Sequence, residues 1–94
     1  MTAKLCLAKF RLGHIVATPN ALSQLTQEDI LTGIQRHQSS DWGELSNEDR
    51  EANNRALIEG ARLLSAYHAQ NGVKFWIITE ADRSVTTVLL PEDY

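Results

Sequence analysis

One cysteine, Cys6, stands among the 94 residues. A lone thiol excludes an internal disulfide and any site that needs two thiolate ligands, and it suits a reducing cytoplasm. Long apolar runs are also missing. The run Leu5-Cys6-Leu7-Ala8, set between Lys4 and Lys9, is far too short for a secretory segment or a membrane span, so a cytoplasmic protein without a membrane partner is expected. Excess positive charge is absent as well: nine Lys and Arg are scattered along a chain of net charge −3. That balance speaks against a nucleic-acid partner held by broad phosphate neutralisation. Internal repeats, low-complexity tracts and linkers are lacking, and no cofactor, metal or nucleophile motif is present. No cofactor is expected.

What is there reads as a single α+β domain spanning residues 1–94. A first strand is expected over 10–17, with Phe10, Leu12, His14 and Val16 on one side and Ile15 and Ala17 on the other. Thr18-Pro19 then caps and opens a short helix to about Leu25. Thr26-Gln27-Glu28-Asp29 starts a second helix, with acidic residues in its first turn. It runs to about Gln38 and buries Ile30, Ile34 and His37 on one stripe, with Leu31 beside it. A loop over 39–45 follows, anchored by burial of Trp42 and Leu45. Ser46-Asn47-Glu48-Asp49 opens a third helix.

The end of that third helix is ambiguous by periodicity, because Leu57, Ala61, Leu64 and His68 extend a helical stripe as far as Gln70. Turn chemistry decides otherwise. Asn71-Gly72 is the preferred pair for a two-residue type I′ hairpin, and it lies between β-prone runs at 63–69 and 73–79. The helix is therefore ended near Gly60, and three antiparallel strands follow as a meander, the last over about 84–90. Two tight turns imply that His68 faces Phe75, Tyr67 faces Trp76, Ile78 faces Val85 and Ile77 faces Thr86. Alternation then places Tyr67, Trp76, Ile78, Val85 and Leu89 on the face expected to pack on the helices. Leu64, Ala66, His68, Phe75, Ile77, Thr79, Ser84, Thr86 and Val88 form a mixed face, expected to be open and available for binding. Pro91-Glu92-Asp93-Tyr94 ends the sheet.

Chemistry concentrates in the second turn, where Glu80, Asp82 and Arg83 make a charged corner with the hydroxyls of Ser84 and Thr86 nearby. An acid, a cation and donors at one end of a sheet can bind and polarise a phosphate or carboxylate. The plainer alternative is a solvated turn, in which Asp82 bonds backbone amides and Arg83 pairs with a carboxylate. The three histidines, His14, His37 and His68, lack the spacing of a helical metal pair, so no metal site is expected. Arg36 and His37 suit a helix C-terminus, where positive charge meets the last carbonyls. His68, placed beside Thr86 and Phe75, is the histidine assigned to a binding face. Trp42 is expected in the core.

Thr18-Pro19, Arg36-His37 through Asp41-Trp42-Gly43, Leu64-Ser65-Ala66-Tyr67, and Ile78-Thr79-Glu80-Ala81-Asp82-Arg83-Ser84 through Leu90-Pro91-Glu92-Asp93-Tyr94 together resemble a family of small bacterial proteins. Its members are encoded on plasmids, integrons and other mobile elements and are generally labelled hypothetical or plasmid-related. The likeness spans nearly the full chain, and it implies a mobile-element accessory protein without supplying catalytic residues. In arrangement, helices followed by a meander are similar to the barnase and RelE-like ribonuclease toxins. That analogy implies metal-independent RNA cleavage by Glu80, Arg83 and His68 or His37. The first expectation is a non-enzymatic interaction module that uses the mixed face and the charged corner to bind a protein partner or a second copy of itself.

Overall fold

The computed structural model describes residues 8–94. Lys4 and Cys6, with most of the apolar run around the cysteine, lie outside the described residues. The chain runs β1 (His14–Ala17), α1 (Pro19–Gln24), α2 (Gln27–Gln38), α3 (Asn47–Glu59), β2 (Leu63–His68), β3 (Lys74–Thr79) and β4 (Val85–Leu89), then a 3-10 turn, Pro91–Asp93. The strands form one sheet in the order β1-β4-β3-β2. The last three make the expected meander, and β1 returns beside β4 in parallel. The class is α+β.

Local chemistry sets the helix limits. Thr18 accepts from the Ala21 amide at 3.1 Å. Thr26 and Asp29 form a reciprocal capping box with both bonds at 3.0 Å, and Ser46 caps α3 through the Asp49 amide at 3.2 Å. The third helix stops at Gly60 as the turn argument required. The first strand is shorter than expected. Gly13 has a φ of 65° and its α-carbon lies so close to the Ser84 carbonyl that a Cβ there would stand 2.2 Å from the oxygen. The chain bends at that point, and Phe10 leaves the sheet to stack on Trp42.

Both hairpins close differently from the expectation. The first has a three-residue loop of Gln70, Asn71 and Gly72: the Ala69 amide donates to the Val73 carbonyl and the Gly72 amide to the Ala69 carbonyl, each at 2.9 Å. Only Gly72 takes a positive φ, 87°. Asn71 uses its side chain instead, accepting from the Val73 amide and donating to the Gln24 carbonyl, each at 3.0 Å. A type I turn followed by a left-handed glycine replaces the type I′ pair. The extra loop residue shifts the register by one, so Tyr67 faces Phe75, Ala66 faces Trp76 and His68 faces Lys74. The second loop spans 81–84, with Glu80 donating to the Val85 carbonyl at 3.0 Å. It shifts the pairing by two, to Thr79 with Thr86, Ile78 with Thr87 and Ile77 with Val88.

A one-residue slip exchanges faces and a two-residue slip preserves them. Tyr67 therefore joins Phe75, Ile77 and Val88, and this face, not the one carrying Trp76, lies under the helices. Its Leu63, Ser65, Tyr67, Phe75, Ile77, Thr79, Thr86 and Val88 are all at most 2% exposed. The second helix presses on it closely, since a Cβ on Gly33 would stand 2.9 Å from the Phe75 ring. Two apolar clusters result. The larger joins Ala21, Leu25, Ile34 and Leu90 to the buried sheet face, and the smaller joins Trp42, Ala56 and Leu63. Trp42 is buried as expected, its indole donating to Asn54 at 3.0 Å. Leu31, beside the buried stripe of α2, is 54% exposed.

Candidate functional site

The polar residues of the inner face explain why it looked like an outer one. His37 is fully buried beneath the sheet. Its Nδ1 meets Ser65 at 2.5 Å, its Nε2 meets Thr79 at 2.9 Å, Thr79 meets Thr86 at 2.8 Å, and Thr86 donates to the Leu12 carbonyl at 2.7 Å. The last bond fixes every proton. Thr86 has one hydrogen and gives it to the carbonyl, so Thr79 donates to Thr86 and Nε2–H of His37 donates to Thr79. In the neutral ring Nδ1 then accepts from Ser65. Burial, reinforced by the nearby Arg83 charge, lowers the His37 pKa to about 4. His37 is thus a neutral core residue and not a charged helix terminus. Arg36 likewise leaves the helix end, gripping Asp41 at 2.7 and 3.3 Å and lying over the Tyr67 ring at 4.5 Å. Tyr67 is itself held by donating to the Asp41 carbonyl at 2.6 Å.

The charged corner is largely structural. Arg83 donates to four backbone carbonyls, Ala61 at 2.6 Å, Glu80 at 3.1 Å, Ala81 at 3.3 Å and, at the end of α3, Ala56 at 3.1 Å. It pairs with no carboxylate among the described residues, and the hairpin tip is tied to the helix through it. Asp82 accepts from the amide and the hydroxyl of Ser84 at 3.0 and 2.6 Å, which holds its carboxyl below the usual range. Thr86 belongs to the buried chain, so it lies on the opposite face from His68 and cannot join a surface site. His68 is exposed, with Nδ1 2.6 Å from Glu44. Glu80 stands beyond the other end of β3, about 20 Å away at strand rise. His14 is exposed on the edge strand. Glu80, Arg83, His68 and His37 therefore do not converge. Among the described residues no group of His, Cys, Asp and Glu side chains is placed to hold a metal, and no helix is long and apolar enough to cross a membrane.

The concavity of interest lies on the sheet face away from the helices. Arg62, Leu64, Trp76, Ile78 and Tyr94 line a groove of about 290 Å³. Asp93 places its last wall: its carboxylate accepts from Thr18 at 2.6 Å, Asn20 at 2.8 Å and the Leu90 amide at 3.0 Å. The chain end thereby folds back, and Tyr94 meets Trp76 edge to face at 5.9 Å. The Arg62 guanidinium lies over the Tyr94 ring at 5.3 Å. Trp76, expected in the core, is only partly buried, and Tyr94 is 69% exposed. Glu80 borders the groove through Arg62 at 4.0 Å. Sequence alternation did group Trp76, Ile78 and Leu89 on one face. It gave no sign that Tyr94 would join them.

One sheet edge is closed and helps define this face. Asn53 bonds both backbone groups of Leu64, at 2.6 and 3.2 Å. Ala66 bonds the Trp42 carbonyl at 3.1 Å and the Glu44 amide at 2.8 Å. The outer edge of β2 is thus satisfied, as isolated sheet edges in monomers usually are. A second hollow, of about 180 Å³, lies where α2 crosses the first hairpin and includes Asp29, Arg36 and Tyr67. Its principal charges are already engaged, Arg36 by Asp41 and Asp29 by its capping bonds and the Gln70 amide at 3.3 Å. Comparison of the chain with protein-family models, with curated proteins and with solved structures finds no match.

Proposed function

We propose that the protein is a non-enzymatic interaction module whose docking surface is the sheet face opposite the helices. One observation carries this reading: the helices cover a single side of the sheet, and the other side holds a groove walled by Trp76 and Tyr94 beside Arg62. Tryptophan, tyrosine and arginine are the residues that most often dominate binding energy at protein interfaces. The other exposed large apolar side chains are Leu22, Leu31 and Ile58, one to a helix, and Ile15 and Val16 on the edge strand β1, and none of these is placed with an aromatic groove. The resemblance to small plasmid and integron proteins adds a setting for the module, that of a mobile-element accessory protein acting on a bacterial partner. A ribonuclease reading draws no support from a His37 locked in the core, an Arg83 occupied by carbonyls and a His68 at the far end of the sheet.

Site-specific photocrosslinking tests the assignment. A photoreactive phenylalanine analogue at Leu64 or Tyr94 should yield a discrete adduct in a bacterial lysate, and the same analogue at Ile58 on α3 should not. Adducts arising only from Ile58 would place the interface on the helical side. Metal-independent RNA cleavage by purified protein, lost on His68→Ala, would replace the module with an enzyme.

A further inference from the structure

If the open sheet face is the docking surface, as proposed above, its charges decide what docks there. Arg62 differs from the other arginines of the core region. Arg36 is held by Asp41 and Arg83 by four carbonyls. Arg62 makes no hydrogen bond among the described residues, and its nearest acid, Glu80, stands at 4.0 Å. The Arg62 side chain is 46% exposed, and a guanidinium stacked over an aromatic ring can still offer its N–H groups to a carboxylate through two parallel bonds. At the other end of the groove side, Lys74 is exposed and has no ion pair among the described residues. His68 opposite it is engaged by Glu44. Arg62 and Lys74 are thus two outward cations about 20 Å apart along the strands, with the apolar groove between them.

We infer that this face binds an extended acidic peptide segment of a partner protein, seating a large apolar side chain against Trp76 and Tyr94 and placing a carboxylate on Arg62. Six or seven extended residues span the distance, so a second acidic residue reaches Lys74. The charge pattern favours this occupant over two others. The acids that a second copy would bring to this face, Glu44 and Glu80, already lie beside its own His68 and Arg62. A single-stranded nucleic acid would stack on the aromatics, but its continuous phosphates would have to pass Glu44 and Glu80. A peptide carries its carboxylates only where the cations stand.

Selection from a random seven-residue peptide display library on the immobilised full chain tests the inference. The expected peptides combine Asp or Glu with a central aromatic or branched aliphatic residue. Arg62→Glu should weaken a selected peptide roughly tenfold or more, the worth of a charge-assisted hydrogen bond, and Arg62→Lys should weaken it less. Trp76→Ala should abolish capture, and unchanged melting of the exposed Arg62 variants confirms that their fold is intact. Apolar peptides that need Trp76 but ignore Arg62→Glu would overturn the acidic chemistry while leaving the docking face in place. Peptides captured equally by Trp76→Ala protein would remove the docking face as well. No enrichment above the Trp76→Ala protein, tight binding of oligouridylate, or a concentration-dependent dimer in sedimentation that buries Trp76 would each overturn the peptide occupant.

Discussion

With both ring nitrogens engaged, His37 links α2 to β2 and β3 and, through Thr79 and Thr86, to the backbone at Leu12. Its folded pKa of about 4 lies below the ordinary 6.5. Between those values the unfolded chain binds a proton that the folded one refuses, so this contribution is complete above pH 6.5 and falls as the pH drops toward 4. The loss approaches ~3 kcal/mol, a large part of the stability of a domain this size. Asp29, Asp41, Asp82 and Asp93 are all held below the usual carboxylate range by hydrogen bonds, so their contributions are lost only as the pH falls further. Urea melts from pH 7 to 4.5 should show the decline, and His37→Gln should flatten it. An equal slope in both proteins would locate the titrating group elsewhere. Arg83 supplies a second test, because it anchors the hairpin tip to α3 instead of displaying charge. Arg83→Ala should destabilise by ~1 to 3 kcal/mol in denaturant melts, whereas a binding residue at a solvated corner would leave the melt unchanged.

The elements were legible because each carries its own start and stop. Thr18, Thr26 and Ser46 cap the helices as their side chains allow, Gly60 ends α3, and the β-branched and aromatic runs pair where turn residues separate them. Register was not legible, because it depends on whether Asn71 adopts a left-handed backbone or bonds locally through its side chain, and both suit an Asn-Gly pair. Nor was the inward face. Ser65, Thr79 and Thr86 lower the apolar content of the side that is buried, and only His37 arriving from α2 makes that side favourable. The candidate site changes with the face: Thr86 is buried and Trp76 lies on the open side, the reverse of what alternation implies. Paired truncations distinguish the faces. Phe75→Ala removes a ring that is 2% exposed and should cost ~3 to 5 kcal/mol. Trp76→Ala, on the open side, should cost less than this despite the larger side chain, because part of its ring stays in water. The reverse order would restore the sequence-based assignment of faces.

Across the whole molecule, a single layer of helices protects one side of a sheet and leaves aromatic surface on the other. The β2 edge is sealed by Asn53 and the loop at Trp42, so the exposed apolar surface of this region is concentrated on a face and not along that edge. This is the face proposed as the partner surface, and among the described residues Glu80, Arg83, His68 and His37 do not converge beside it. Trp76→Glu is the most direct test, because it sets two questions in one variant: denaturant melting and photocrosslinking from Tyr94 are read on the same protein. The account predicts a cooperative melt with the fold retained, since a charge at a partly exposed position reaches water, together with loss of the Tyr94 adduct. An unfolded Trp76→Glu protein, or a folded one that forms the adduct undiminished, would contradict it.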